Sequence, residues 1–141
     1  MTNTAYTLGR ALLAILFIVL GVQNILGADG LAKMLTGLPP LPVEIDQYLG
    51  GLSRYVALAY LVAIVEIICA IMLLLGFKAR WAAIVLMVYV LCTIFFVHNF
   101  WDMEGAVAAS QRMAVLMDLA IIGGLLLIAG GGAGPDNMAR R

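Results

Sequence analysis

The chain has 141 residues, of which 65% are hydrophobic and only 11% are charged. A soluble globular domain is about 45–50% apolar and about 25% charged, so this composition could not keep its apolar surface away from water. The 8 basic and 8 acidic residues cancel, which leaves no basic surface for nucleic acid. We therefore predict a single membrane domain over residues 1–141, in contact with the lipid bilayer and not with nucleic acid.

Four apolar segments approach or meet the roughly 20 residues that a helix needs to cross a bilayer. In chain order they occupy residues 8–26, 55–77, 81–101 and 109–129. The turn between the second and third segments, from Gly76 to Arg80, is short enough to predict an antiparallel helical hairpin. The sequence thus predicts an all-α fold, an integral membrane four-helix bundle.

The longest connection, residues 27–54, contains two short amphipathic patterns. Asp29 is a candidate N-cap for a helix that carries Leu31 and Leu35 on one side. Pro42 suits the first turn of a second short helix. Both helices are expected to lie at the membrane surface or to fold back onto the bundle.

The positions of lysine and arginine predict the orientation of the chain in the membrane. Four spans put both termini on the side of the turn that contains Lys78 and Arg80. That side has five basic residues and the other has three, so we expect cytoplasmic termini. In an alternative interpretation the first segment is a cleaved signal peptide, although no good small-x-small cleavage site follows it.

Six polar residues in or beside the spans are candidates for a binding site: Glu66, His98, Asp118, Asn24, Gln23 and Gln111. Charged groups at the bilayer centre cost about 2.5–3.5 kcal/mol each on insertion scales, so they usually face the protein interior and often mark a site. If these side chains meet, they form a polar pocket in which a buried carboxyl group exchanges a proton and His98 relays it. The alternative is that each group only hydrogen bonds its neighbours and fixes helix packing.

Helical spacing assigns some of these residues to faces. One stripe on the first span consists of Arg10, Ala14, Phe17, Gly21 and Asn24. The face of Glu66 on the second span also carries Ala59, Ala63 and either Cys69 or Ala70. Small residues let two helix backbones approach closely in a membrane. We therefore expect the face of Glu66 to lie at a close helix contact.

The order of these features resembles the DoxX family of small bacterial four-helix membrane proteins. The matching segments are Arg10 with Phe17-Ile18-Val19-Leu20-Gly21, the proline-containing loop at residues 38–42, Val65-Glu66, Leu73-Leu74-Leu75-Gly76-Phe77-Lys78-Ala79-Arg80, His98, and Pro135-Asp136. Some relatives carry a lysine shortly after the glycine of the first helix, where this chain has Gln23 and Asn24. The resemblance implies a bacterial inner-membrane protein in quinone-linked redox chemistry or oxidative-stress protection.

Together, the resemblance and the polar residues predict a quinone-linked subunit. Glu66 and His98 would hydrogen bond the quinone oxygens or carry protons, and Asp118 and Asn24 would support them. The sequence has no haem ligand pair, flavin motif, metal-ligand cluster or thiol pair, so electrons would come from a partner. We therefore expect an oxidoreductase subunit, with other membrane subunits or a homo-oligomer as partners, and not a stand-alone enzyme.

Two other functions fit the same sequence. One is a structural accessory subunit of a larger membrane complex, with no chemistry of its own. The other is a small proton or solute transporter in which Glu66 and Asp118 line the path.

Overall fold

A computed structural model of the protein describes residues 2–36, 42–96 and 105–131. In these ranges the regular elements are α1 (Thr2–Leu26), α2 (Ala28–Leu35), a 3₁₀ helix (Val43–Tyr48), α3 (Arg54–Leu75), α4 (Ala79–Phe96) and α5 (Gly105–Gly131). The described part of the chain contains no β-strand. The predicted all-α fold class is confirmed.

Three of the described helices contain segments long and apolar enough to cross a membrane: Thr4–Leu26, Arg54–Leu75 and Ala108–Gly131. The fourth long helix, α4, is apolar and has 18 residues. At the α-helical rise these residues extend about 27 Å, close to the roughly 30 Å hydrocarbon core. The predicted third span continues to residue 101, but residues 97–104, including His98, lie outside the described residues.

The four long helices pack as a ring, with α1 against α3, α3 against α4, α4 against α5 and α5 against α1. Neighbouring helices are antiparallel. The start of α4 meets the end of α5, where the Arg80 guanidinium donates to the Gly130 carbonyl oxygen at 3.2 Å. Gly124, late in α5, lies beside Leu13 in the first half of α1. The described helices therefore form an up-and-down bundle, and α2 covers part of α1 and α3.

The most extensive helix contact joins α1 and α3. A Cβ atom built on Gly21 would lie 2.5 Å from the Ile67 Cγ1 atom and 3.3 Å from the Ala63 backbone oxygen. Glycine at this position therefore allows the two backbones to approach. The predicted faces meet here, since the buried residues include Arg10, Ala14, Phe17, Gly21, Ala59, Ala63, Glu66 and Ala70.

The hairpin between α3 and α4 follows the sequence prediction. Gly76 ends α3 in the left-handed conformation with φ of 74°, which glycine adopts without the steric cost of a Cβ atom. A Cβ atom here would also lie 2.8 Å from Nη1 of Arg10, whose side chain is only 5% exposed. The Arg10 guanidinium thus lies at the carboxyl end of α3, where the helix dipole favours a cation.

Two details predicted for the connection before α3 are wrong. Gly27, not Asp29, occupies the N-cap position of α2, and no side chain caps the helix. The Gly27 carbonyl oxygen accepts from the amides of Gly30 and Leu31 at 2.9 and 3.1 Å, so α2 begins directly after α1. Pro42 precedes the second short helix, which is 3₁₀ in form, and does not lie in its first turn.

The start of α3 is held by two side chains from this connection. The Ser53 hydroxyl oxygen accepts from the Val56 amide at 3.3 Å, as an N-cap. Asp46 accepts from the Arg54 amide at 3.0 Å and from its guanidinium at 3.1 Å. These contacts fix the position at which the chain enters the span that carries Glu66.

Candidate ligand-binding cavity

Glu66 has a buried carboxyl group in the bundle interior. It lies near the middle of α3 and is 2% exposed. Its Oε2 atom accepts a hydrogen bond from Asn24 Nδ2 at 2.9 Å. Its Oε1 atom is also buried and has no hydrogen-bond partner among the described residues. Buried carboxyl oxygens are usually satisfied, so an oxygen without a partner is an open position for a ligand group.

Asn24 and Tyr89 complete a small polar cluster with Glu66. Asn24 Nδ2 also donates to the Tyr89 hydroxyl oxygen at 3.1 Å, so one amide bridges α3 and α4 from α1. The Tyr89 phenol lies close enough to interact with the Glu66 carboxyl group as well. On α4, the Thr93 hydroxyl donates to the Tyr89 backbone oxygen at 3.1 Å. Three separate helices therefore hold the carboxyl group in one orientation.

These groups lie on the wall of a cavity of about 560 Å³ that is bounded by the four long helices and α2. The volume is within the range of about 300–1,000 Å³ that is usual for small-molecule sites. The polar lining consists of Asn24, Glu66, Tyr89, Thr93 and Asp118, and the rest is largely aliphatic. Such a cavity suits a mostly apolar ligand that has a polar group at one end.

Asp118 reaches the same cavity from α5, where its side chain is half-buried. It interacts with other groups of the protein. The structure thus brings Asn24, Glu66 and Asp118, of the six predicted site residues, to one cavity. Their role in binding stays a prediction.

The other predicted site residues lie elsewhere. Gln23 is exposed at the end of α1, and Gln111 is half-buried on α5; neither lines the cavity. Gln111 is about 10 Å along the helix axis from Asp118 at the α-helical rise. His98 lies outside the described residues.

Sequence reasoning missed Tyr89, which contacts the cluster directly. Its position in the sequence was informative, since tyrosine in membrane helices is enriched at the two membrane–water interfaces. Tyr89 instead lies in the middle of α4, four residues before Thr93. A polar aromatic residue at this depth needs a hydrogen-bond partner inside the protein, which Asn24 provides.

The fold and the cavity together define a class of protein: an α-helical integral membrane bundle with a polar cluster inside an otherwise apolar cavity. The DoxX family model matches residues 5–99. The chain therefore belongs to the DoxX family, as its sequence features predicted. The match includes Asn24, Glu66 and Tyr89, whereas Asp118 lies beyond it.

The chain is also 29% identical over 136 residues to "Inner membrane protein YphA" of Escherichia coli (strain K12). The aligned region covers 95% of this chain and 87% of that protein. No solved structure matches the chain. The family and the apolar helices identify a membrane-embedded protein.

Proposed function

We propose that this protein is a quinone-binding subunit of a redox system in the bacterial inner membrane. The observation that carries the proposal is the Oε1 atom of Glu66, which is buried without a hydrogen-bond partner among the described residues. It belongs to a residue that lines an apolar cavity of about 560 Å³. A quinone has the matching chemistry, because its ring is apolar and its oxygens form hydrogen bonds.

Glu66 is suited to both redox forms of such a ligand. A protonated carboxyl group donates to a quinone carbonyl oxygen, and an ionised one accepts from a hydroquinone hydroxyl. Reduction of the quinone takes up electrons and protons in equal number, so a carboxyl group beside the ring oxygen can supply or accept a proton. Asn24 and Tyr89 hold this carboxyl group in place.

The electrons would come from a partner. The chain has two cysteines, Cys69 and Cys92, of which Cys69 is buried and Cys92 is exposed. Its sequence contains no motif for haem, flavin or an iron–sulfur cluster. We therefore propose that the protein binds and positions the quinone while another subunit or a soluble donor reduces it.

A binding experiment with matched variants tests this function. The protein is extracted in a mild detergent, its bound lipids are identified by mass spectrometry, and decylubiquinone is titrated into the delipidated protein. In a parallel titration with the reduced form, decylubiquinol, we expect Glu66→Gln to weaken binding about tenfold or more. The ionised Glu66 carboxylate accepts from a hydroquinone hydroxyl, and hydrogen bonds to charged groups contribute about 1.5–3 kcal/mol. Glu44→Gln is the control, since Glu44 is exposed on the 3₁₀ helix and its variant should bind normally.

Other outcomes identify the two alternative functions. Absence of quinone binding, together with a stoichiometric partner complex that survives Glu66→Gln, would favour an accessory subunit. Proton or solute flux in liposomes that Glu66→Gln abolishes would favour a transporter. Equal decylubiquinol affinity in the unsubstituted protein and in Glu66→Gln would contradict the proposed binding mode.

The proposed orientation has both termini in the cytoplasm. Lys78 and Arg80 are exposed at the α3–α4 turn, and cytoplasmic connections are enriched in such residues. The thiol of Lys78→Cys, in a chain with both native cysteines replaced, should be protected from an impermeant maleimide in intact cells. Labelling at this position without cell lysis would reverse the orientation.

A further inference from the structure

The exposed part of the cavity wall indicates an opening on the side of the bundle, between α3 and α4. Several of its lining residues are also exposed on the outer surface of these helices: Leu61 and Val65 on α3, and Val85, Val88 and Cys92 on α4. We name these five residues the α3–α4 cleft. Leu61 is 58% exposed and Val88 is 52% exposed, although both line the cavity.

The two sides of the cleft face each other along the hairpin. The antiparallel arrangement of α3 and α4 puts Val65 opposite the turn of α4 that carries Val88 and Tyr89. Val85, Val88 and Cys92 follow the helical spacing of a single face. The cleft therefore continues from the outer surface to the Glu66–Asn24–Tyr89 cluster.

The cleft lies at the depth of the acyl chains. Val65 follows the first residue of α3, Arg54, by 11 positions, which corresponds to about 16 Å along the helix axis. This is about half of the roughly 30 Å hydrocarbon core. The cleft is lined by four aliphatic side chains and one thiol, so it opens toward lipid and not toward water.

We propose that the ligand enters sideways from the bilayer through the α3–α4 cleft and leaves its apolar tail there, with its polar head at Glu66 Oε1. This rests on the proposed function and extends it to the substrate class. The protein would bind a membrane-resident quinone through both head and tail. A water-soluble ligand without a tail would make only the contacts at the head.

The tail has a physical reason to stay in the cleft. The open carboxyl oxygen lies inside the bundle, whereas the cleft residues extend to the lipid-facing surface. A tailed ligand can thus place its polar end at Glu66 while its tail remains in apolar surroundings throughout. Only the head group has to cross the apolar cleft, and its oxygens regain a hydrogen-bond partner at Glu66.

A substitution that fills the cleft tests this route. In liposomes, Val88→Trp should weaken the binding of decylubiquinone by about tenfold, because the tail loses its contacts. The matched control is Val19→Trp, since Val19 is a 48% exposed valine on α1 that does not line the cavity. Its variant should bind as the unsubstituted protein does. Equal affinity of Val88→Trp and Val19→Trp for decylubiquinone would overturn the proposal.

The native Cys92 gives a second measurement that requires no bulky substitution. In a Cys69→Ala background, Cys92 is the remaining thiol of the chain. Decylubiquinone should slow its modification by a membrane-permeable maleimide, whereas the same quinone head group without a tail should not. An unchanged modification rate at saturating decylubiquinone would contradict a tail in the cleft.

The tailless quinone separates the two proposals. If it binds and Glu66→Gln weakens the binding of its hydroquinone form, the proposed function stands regardless of the results at Val88 and Cys92. If both quinones bind equally well and neither protects Cys92, only the lateral route fails. If neither quinone binds to the unsubstituted protein, the proposed function fails and the route fails with it.

Discussion

Two buried charged residues, Arg10 and Glu66, lie on the same α1–α3 contact but in different surroundings. Arg10 is beside Gly76 at the carboxyl end of α3. The neighbouring core is closed, since Leu73, Ala83 and Leu125 are fully buried. Glu66 lies instead on an open cavity and has one carboxyl oxygen without a partner among the described residues. Burial alone therefore does not distinguish a charge in a closed core from one with room for a ligand; the space around the charge does.

The largest expected effect is a loss of stability in the closed region around Arg10. Arg10→Met should lower the free energy of unfolding by about 2–3 kcal/mol. It keeps most of the volume but removes the guanidinium that lies at the carboxyl end of α3, together with its other interactions. Stability is measured by denaturation in detergent micelles. Arg112→Met, at an exposed position of α5, should change it by less than about 0.5 kcal/mol. If Arg10→Met abolished quinone binding while leaving stability unchanged, the structural assignment would be wrong.

The next effect concerns the contact on which both charges lie. Gly21→Ala should lower the free energy of unfolding by about 1–3 kcal/mol, because a methyl group at this position overpacks the α1–α3 contact. Gly123→Ala is the matched control, since a Cβ atom on that helical glycine meets nothing within 4 Å. A thermal denaturation series compares the two. Equal stability of both variants would show that α1 and α3 are less tightly packed than described.

A smaller effect, on quinone affinity, tests the role of the open cavity beside Glu66. Tyr89→Phe removes the hydroxyl group that accepts from Asn24, so quinone affinity should fall about threefold to tenfold, as for the loss of one neutral hydrogen bond. Isothermal titration measures the change. Tyr60→Phe, at an exposed position of α3, should leave affinity unaltered. A larger loss at Tyr60 than at Tyr89 would argue against the cluster as the site.

The smallest effect lies outside both regions. Asp46→Asn removes the ion pair with Arg54, in which the two side chains are 41% and 20% exposed. The expected loss of stability is about 0.2–1 kcal/mol, because exposed ion pairs contribute little. The loss should shrink as salt concentration rises. A loss above that of Gly21→Ala would mean that this connection holds the bundle together more strongly than the helix contacts do.

Much of the fold was predictable because its signals are local. Apolar length indicated spanning helices, and the short turn at Gly76 predicted the α3–α4 hairpin that the structure contains. Helical spacing also identified the buried faces of Arg10 and Glu66 correctly. The details of the connection before α3 were harder to predict, since capping by Gly27 depends on how α1 runs into α2.

The candidate site was only partly predictable. Glu66 and Asp118 stood out because charged residues are rare within membrane spans. Gln23 and Gln111 were also candidates from their positions in or beside the spans, yet neither lines the cavity. A difference of one residue along a helix rotates a side chain by about 100°, so Asn24 faces the bundle and Gln23 faces outward.

By itself, the sequence determined the membrane class, the helical fold and the faces that are buried, since hydrophobic length and helical period are properties of short segments. Only the tertiary structure decided that Asn24, Glu66 and Tyr89 meet, across sequence separations of 42 and 65 residues. Their meeting depends on the register and rotation of three separate helices, which are determined by packing across the whole bundle.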